Sequence, residues 1–227
     1  MIETFHTIGH HGHTFLVPYT APFVPVYHAW MQDPALLEAT ASEPLTLPEE
    51  ACHQAEWRDM PDRACFILID ADVCGDVDPT LLPVEAGVAA AVGDINLFWT
   101  NSAEPGEVEL SVMVAVVSAR RKGIARSAIQ CAVVWALKHQ QAHPADHFVA
   151  KIDGDNHASL ALFQSLGFTE HARIEAFDEV HLRLAVADVP LADWERDMNW
   201  QAVDIAFDVG QAELQQQVAA WTASNDA

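Results

Sequence analysis

Basic residues are scarce. The chain of 227 residues carries 11 Lys and Arg against 33 Asp and Glu, a formal net charge of −22 at pH 7. Without a surplus of cations there is nothing to neutralise a phosphate backbone, which argues against a nucleic-acid partner. Docking on anionic lipid is disfavoured for the same reason. Long apolar runs are also missing. None approaches the roughly 20 residues that span a bilayer, and the longest, at 87–92 and 112–117, are of strand length. Residues 1–12 carry His and Glu in place of a basic start and an apolar core, so no secretory signal is expected. Cysteine is sparse, with Cys52, Cys65, Cys74 and Cys131 outside any CxxC spacing. Free, mostly buried thiols in a reducing compartment follow, the cytoplasm with the nucleus as the alternative. What the chain does have is apolar residues, 51% against 19% charged. That ratio excludes a disordered chain, and the length supports one domain with appended segments. An acidic surface attracts a cationic partner such as an amine or a basic peptide, although most surplus carboxylates are solvated background.

His6, His10, His11 and His13 gather at a Gly-bearing start, expected to be flexible over 1–12. A metal site needs ligands converging from a rigid element, so no metal is expected. Residues 14–18 read as a short strand. Phe23, Tyr27, Trp30 and Met31 fit one face of a helix over 21–32, and Pro34 opens another short helix. A loop over 40–47 ends in a capping box, Thr46 as N-cap with Glu49 reaching back. The apolar run at 64–70 predicts a strand buried on both faces. Residues 71–86, acidic and holding Gly75, Pro79 and Pro83, predict an exposed loop. A strand over 88–98 follows, with Gly93-Asp94 marking a bulge, then a turn at 101–106. Over 107–116, Glu107, Glu109 and Ser111 alternate with Val108, Leu110 and Val112, which puts both glutamates on one face of a strand. Ile124, Ala128, Cys131 and Trp135 recur at helical spacing. Next come a strand at 148–153 and a helix over 156–166, capped by Asn156 or Asp155 and closed by Gly167. An antiparallel pair follows, at 168–174 and 177–184. From 187 the chain is acidic and Trp-bearing, with a polar helix near 211–220.

The informative unit is strand, then Arg120-Arg-Lys-Gly123-Ile-Ala125, then amphipathic helix. A Gly-bearing turn leaves backbone N–H groups unpaired at the helix start, where they and the helix dipole suit a pyrophosphate. No GxxxxGK[ST] occurs, and only one of the three Rossmann glycines is present, so neither of those phosphate loops applies. A plain basic loop ending a strand fits the same residues.

Arg120-x-x-Gly123-x-Ala125 resembles the acetyl-coenzyme-A loop of the GNAT N-acetyltransferases. Asn156-x-x-Ser159-x-x-Leu162-Phe163-x-x-Leu166-Gly167-Phe168 stands where the second half of that signature is expected. The stretches at 40–47, 92–98 and 179–184 are similar to the eukaryotic N-acetyltransferase 9-like branch. The likeness covers 13–186, which makes that range the catalytic domain and 187–227 an acidic, partly helical extension. The resemblance implies an α/β GNAT fold, a twisted, mostly antiparallel sheet with helices on both faces. It implies acetyl-CoA as co-substrate and an amine acceptor, a protein or peptide N-terminus in this branch. The amides of Val114 and Val116 and the turn of Arg120, Arg121, Lys122, Gly123, Ile124 and Ala125 would hold the cofactor, with Arg121 at negative φ in a position where many members have Gly. Asn156 would contact the cofactor arm or simply cap its helix, and Ser159 and Phe163 would lie beside it. Glu109, with Glu107 one pleat away, stands where some members keep the base that deprotonates the amine. Two carboxylates on one face raise one pKa or bind a cationic amine; a solvated strand face has the same pattern. Phe163 replaces the Tyr that often protonates the thiolate, leaving Ser159 or water for that step. Glu43 would meet the amine or cap a helix entry. No cysteine falls at a site position, so direct attack is expected. The resemblance is silent on oligomeric state, and a catalytically silent CoA-binding or interaction module is the alternative.

Overall fold

In the computed structural model, which describes residues 7–11, 14–74, 84–99, 106–141, 144–196, 198–202 and 210–225, the apolar and alternating runs line up as a single sheet. Its strands are β1 (Thr7–His11), β2 (Thr14–Pro18), β3 (Arg63–Asp70), β4 (Ala91–Trp99), β5 (Glu107–Val114), β6 (His147–Asp153), β7 (Thr169–Ile174), β8 (Glu179–Ala185) and β9 (Met198–Ala202). They stand in the order β7-β8-β6-β5-β4-β3-β2-β1-β9. The helices are α1 (Val24–Trp30), α2 (Pro34–Ala39), α3 (Leu47–Asp59), α4 (Ala71–Cys74), α5 (Val84–Ala89), α6 (Ile124–Lys138), α7 (His157–Gln164), α8 (Leu191–Arg196) and α9 (Gln211–Asn225). Among the described residues no helix is long and apolar enough to cross a membrane.

Every neighbouring pair is antiparallel except β5 and β6. Their parallel register covers only Glu107↔His147, Val108↔Phe148 and Glu109↔Val149. Beyond that β5 stays with β4 as far as Val114, while β6 stays with β8 as far as Asp153. The two strands therefore part, and a wedge opens in the middle of the sheet.

Side-chain alternation assigns the faces. Val108 and Leu110 turn to the side covered by α6, whose Ala128, Cys131, Ala132 and Trp135 are fully buried against Phe66, Leu97 and Phe148. Phe163 and Leu166 near the end of α7 and Trp194 of α8 extend this layer. The opposite side is covered over β2 and β3 by α1, α3 and α9, through Phe15, Val17, Ile67, Ile69, Leu47 and Leu214. β3 is thus sandwiched, as its unbroken apolar run requires. Met31 and Leu36 of α1–α2 reach further and pack on Met113 and Ala115 of β5 and its exit. Thr46 starts α3 with the expected capping box, its hydroxyl accepting from the Glu49 amide and Glu49 Oε2 accepting from the Thr46 amide at 2.8 Å.

Several elements differ from the sequence reading. The start expected to be flexible holds β1, and the extension expected to lie outside the domain holds β9; the two pair with each other and β1 pairs with β2. Neither strand has a strong pattern of its own, but each satisfies the other's backbone groups. His6 and His13 lie outside the described residues. The acidic 71–86 segment begins as α4 and ends in α5. Residues 75–83 and most of the turn at 101–106 are outside the described set. The bulge falls at Val92, because Leu68 faces Gly93 while Ile69 faces Ala91. Gly93 has another reason to be glycine: a Cβ there would sit 1.9 Å from the Met113 carbonyl oxygen. Gly93→Ala should therefore cost about 2–3 kcal/mol by forcing β4 from β5, read as a lower midpoint in urea unfolding.

Candidate acetyl-transfer site

The wedge leads directly to the signature loop. Past Val114 the chain makes one 3-10 turn, Val117–Ala119, and reaches α6 through Gly123. Gly123 has φ +87°, no side chain caps the helix, and a Cβ at this residue would meet nothing within 4 Å. The glycine therefore serves backbone conformation rather than space. The Ser127 amide bonds the Gly123 carbonyl at 3.0 Å, so the amides of Ile124, Ala125 and Arg126 have no intrahelical acceptor. They lie at the positive end of the helix dipole, a fit for a pyrophosphate. The Ile124 side chain is buried and anchors this turn in the core.

The cationic triplet divides its work. Arg120 turns back, Nε donating to the Val114 carbonyl at 2.9 Å. Lys122 Nζ pairs at 3.0 Å with Asp70, a nearly buried acid at the end of β3, and ties the loop to the sheet. Arg121 is exposed and has φ +67° rather than the expected negative value. The turn requires the left-handed region here, which is the physical reason glycine suits the position.

Other expected contacts are rearranged. The Val116 amide donates to the Val92 carbonyl at 3.1 Å and is thereby engaged by β4 rather than open to a cofactor. Asn156 Oδ1 accepts from the Ser159 amide at 3.1 Å and caps α7. Phe163 is buried edge-on against Phe168, ring centroids 5.0 Å apart, so its ring belongs to the core and not to a cofactor arm. Glu43 is exposed in the α2–α3 loop.

The two glutamates share the face opposite α6, each with its own cation. Glu109 Oε2 lies 2.5 Å from Lys151 Nζ of β6, at the last residue pair before the strands part. Glu107 Oε2 is 3.5 Å from His147 Nε2 and 3.8 Å from Arg183 of β8. The expected crowding of two uncompensated carboxylates is absent, because β6 and β8 bring a basic residue to each. Burial works against the Lys151 charge, but the hydrogen bond and charge of Glu109 outweigh it and raise the Lys151 pKa.

Further along this face, towards α1 and α3, is a polar cluster that sequence reasoning missed. Asp94 on β4 stands opposite Met113, and Asn96 opposite Ser111, whose side is exposed. Asp94 Oδ2 accepts from Asn96 Nδ2 at 2.7 Å and from the Tyr27 hydroxyl at 3.2 Å. Behind it Tyr19 donates to Glu50 at 3.4 Å, and the two tyrosine rings lie 4.9 Å apart. Burial pushes the Asp94 carboxyl up to about 6 against the opposing pull of Asn96 and Tyr27. Burial likewise drives both tyrosines well above their ordinary value, with Glu50 adding most to Tyr19 and Asp94 most to Tyr27. The signal was in the alternation of Asp94 and Asn96 with Ile95 and Leu97, which puts two polar residues on one face of a buried strand.

A split parallel pair, an uncapped glycine-led helix and a capped second helix on one sheet have the layout expected of the GNAT class. The GNAT acetyltransferase domain model matches residues 14–169, and the chain belongs to that family. It is 40% identical over 210 residues to the alpha/beta-tubulin N-acetyltransferase 9 of Drosophila melanogaster, covering 89% of this chain and 95% of that protein. The Homo sapiens alpha/beta-tubulin N-acetyltransferase 9 is 36% identical over 174 residues, 76% of this chain and 80% of that one. These relatives place it among the N-acetyltransferase 9 proteins. Spermidine N-acetyltransferase from Vibrio cholerae, solved with CoA and spermine, has the same fold at 14% identity, with a TM-score of 0.62 over 78% of this chain and 97% of that one. The protein is an acetyl-transferring enzyme, and the wedge and loop fit acetyl-CoA.

Arg121→Gly should relieve a left-handed non-glycine residue costing about 1–2 kcal/mol and lose part of that to glycine's unfolded-state freedom. The expected net gain is about 0.5–1 kcal/mol in urea unfolding, together with weaker binding of acetyl-CoA from the lost charge. Asp94 makes stability depend on pH. Between about 6 and the ordinary 3.8 the folded protein holds a proton that the unfolded chain has released, so stability rises as pH falls through that window. Asp94→Asn, whose amide oxygen can keep both bonds now made to Oδ2, should be about 2–3 kcal/mol more stable than the parent at pH 8. The advantage should shrink below pH 6 and vanish near pH 4, as followed by denaturant midpoints.

Proposed function

We propose that the protein transfers acetyl from acetyl-CoA to the N-terminal α-amine of a protein or peptide, in the cytoplasm. The observation that carries the reading is the wedge between β5 and β6, open beside the uncapped start of α6. A protein acceptor is supported by the relatives, which are named as tubulin N-acetyltransferases. A net charge of −22 suits a cationic acceptor. Four free cysteines suit a reducing compartment.

When bound, acetyl-CoA supplies an activated acetyl group. The amides of Gly123, Ile124 and Ala125, with Arg121 beside them, would hold its pyrophosphate. The edge of β5 at Val114 lines the arm. On the acceptor side α1, α2 and the loop carrying Glu43 form the rim. Glu109 assists by its charge on the acceptor face, held at the apex of the wedge by Lys151; taking a proton there would break that pair. No thiol stands in the wedge. Cys131 lies in the α6 core, pushed up to about 12 by burial, and Cys65 is raised for the same reason. The amine therefore attacks directly, without a covalent enzyme intermediate.

Saturating acetyl-CoA, at about a hundred times its Kd, should stabilise the fold by about 2.7 kcal/mol. Thiol release should follow on adding hexapeptides with a free N-terminus and not their N-acetylated forms. Glu109→Gln should lower kcat about tenfold while keeping the acid limb of the pH profile. Release with lysine side chains alone, or with no peptide amine, would overturn the assigned acceptor.

A further inference from the structure

On the acceptor face Asp94 is a buried carboxylate that meets no cation among the described residues. Its hydrogen-bond partners, Asn96 and Tyr27, are both neutral. The titratable groups turned towards it are Tyr27 from α1, Glu50 from α3, Tyr19 from the chain after β2 and Cys65 from β3. Met113 faces it from β5, and His53 approaches only Glu50, at 3.8 Å. None of these brings a positive charge to Asp94. Glu107 and Glu109 on the same face are both matched with cations, so the arrangement contains a place for one positive charge and does not fill it.

The position suits a substrate. Asn96 is directly across from Ser111, the exposed residue on the floor between Glu109 and Met113. Tyr27, half-buried, comes from the helix that packs on Met113 where β5 borders the wedge. Of the three, Tyr27 is half-buried while Asn96 and Asp94 are buried, so the Tyr27 hydroxyl is the more exposed end of the cluster.

We propose that Asp94, reached through the Tyr27 hydroxyl, is the proton acceptor for the acceptor ammonium, and that Asp94, Tyr27 and Asn96 form the subsite that recognises a free primary amine. The inference rests on the amine-acetylating reading above. The ammonium gives one proton to the Tyr27 oxygen as the Tyr27 hydroxyl proton moves to Asp94 Oδ2. The nitrogen lone pair then forms the C–N bond to the acetyl carbon as the C–S bond breaks. The second nitrogen proton leaves with the thiolate as free thiol, and Asp94 returns its proton to solvent. A carboxylate poised near 6 is charged at neutral pH and still accepts a proton readily, which is what a general base requires; burial supplies that poise.

The test compares the parent, Asp94→Asn, Tyr27→Phe and Glu109→Gln over pH 5–9 with acetyl-CoA and a free hexapeptide. The parent should lose kcat/KM below about pH 6, the Asp94 value in the free protein. Asp94→Asn should lose about a hundredfold or more and the acid limb with it. Tyr27→Phe should lose about tenfold and keep the limb, and the KM for acetyl-CoA should stay within about twofold in both. Because Asp94→Asn is expected to be more stable than the parent at pH 8, misfolding does not explain its loss. Asp94→Asn within about threefold of the parent, with the limb intact, overturns the proposal. Calorimetry on the CoA-loaded protein gives a readout without turnover. The parent should bind the free hexapeptide at least about tenfold tighter than its N-acetylated form, and Asp94→Asn should bind both alike; an indifferent parent overturns the proposal. Turnover of lysine side chains in place of N-termini overturns the acceptor assigned above, and the limb then still decides for or against Asp94.

Discussion

The parting of β5 from β6 is the constraint on which the rest of the molecule depends. Three parallel residue pairs hold the strands together, and then each follows its antiparallel neighbour. Such a gap is costly inside a sheet, because strand edges carry backbone groups that need partners. The fold contains it from both sides. The antiparallel ladders to β4 and β8 fix the outer edges, and Glu109 and Lys151 close the apex with a charge-assisted bond. At the open end Arg120 takes the Val114 carbonyl and Val116 turns its amide to Val92. What is left is a slot whose lining groups need hydrogen-bond partners, leading onto the unpaired amides of α6. Binding a long, polar, anionic molecule is a consequence of that geometry rather than an addition to it.

Elements set by local chemistry were legible in the sequence. The capping box at Thr46, the Asn156 cap and the glycine that opens α6 depend on residues three or four apart, and each stands where the spacing put it. The family signature placed the loop for the same reason. Features decided by partners distant in the chain were not legible. Whether Lys122 meets a phosphate or Asp70 depends on where β3 ends, fifty residues away. Whether Phe163 lines a cofactor or packs on Phe168 depends on how α7 settles on the sheet. β1 and β9 have weak patterns singly; β1 is a strand between β2 and β9, and β9 has its ladder from β1, far away in the chain.

Arg121 shows that a departure from a family pattern has a physical content of its own. A side chain at negative φ would have left the turn unstrained; the structure instead holds it in the left-handed region. The chain keeps the loop's shape against the preference of its residue. In return it has a guanidinium beside the helix start, where the other two cations of the triplet are engaged in bracing the strand and anchoring the loop. Strain of this kind is held by its surroundings: the Lys122 anchor on one side and the buried Ile124 on the other leave the turn little freedom to relax.

Global acidity and local charge answer different questions. The net charge of −22 excludes partners and biases encounters without locating anything. Compensation is what locates function. Asp70, Glu107 and Glu109 each meet a basic side chain, and these three hold the loop and the sheet together. Among the described residues Asp94 meets only neutral donors, in a buried setting. A carboxylate left so costs stability whenever it is charged, and the cost is removed when a cation arrives beside it. An enzyme whose substrate is an ammonium brings that cation itself, so an acid that is a defect of the empty fold becomes satisfied in the complex. The same reasoning separates the two classes of glutamate and aspartate on one face of one sheet: those paired by the protein maintain its shape, and the one left unpaired selects what the protein holds.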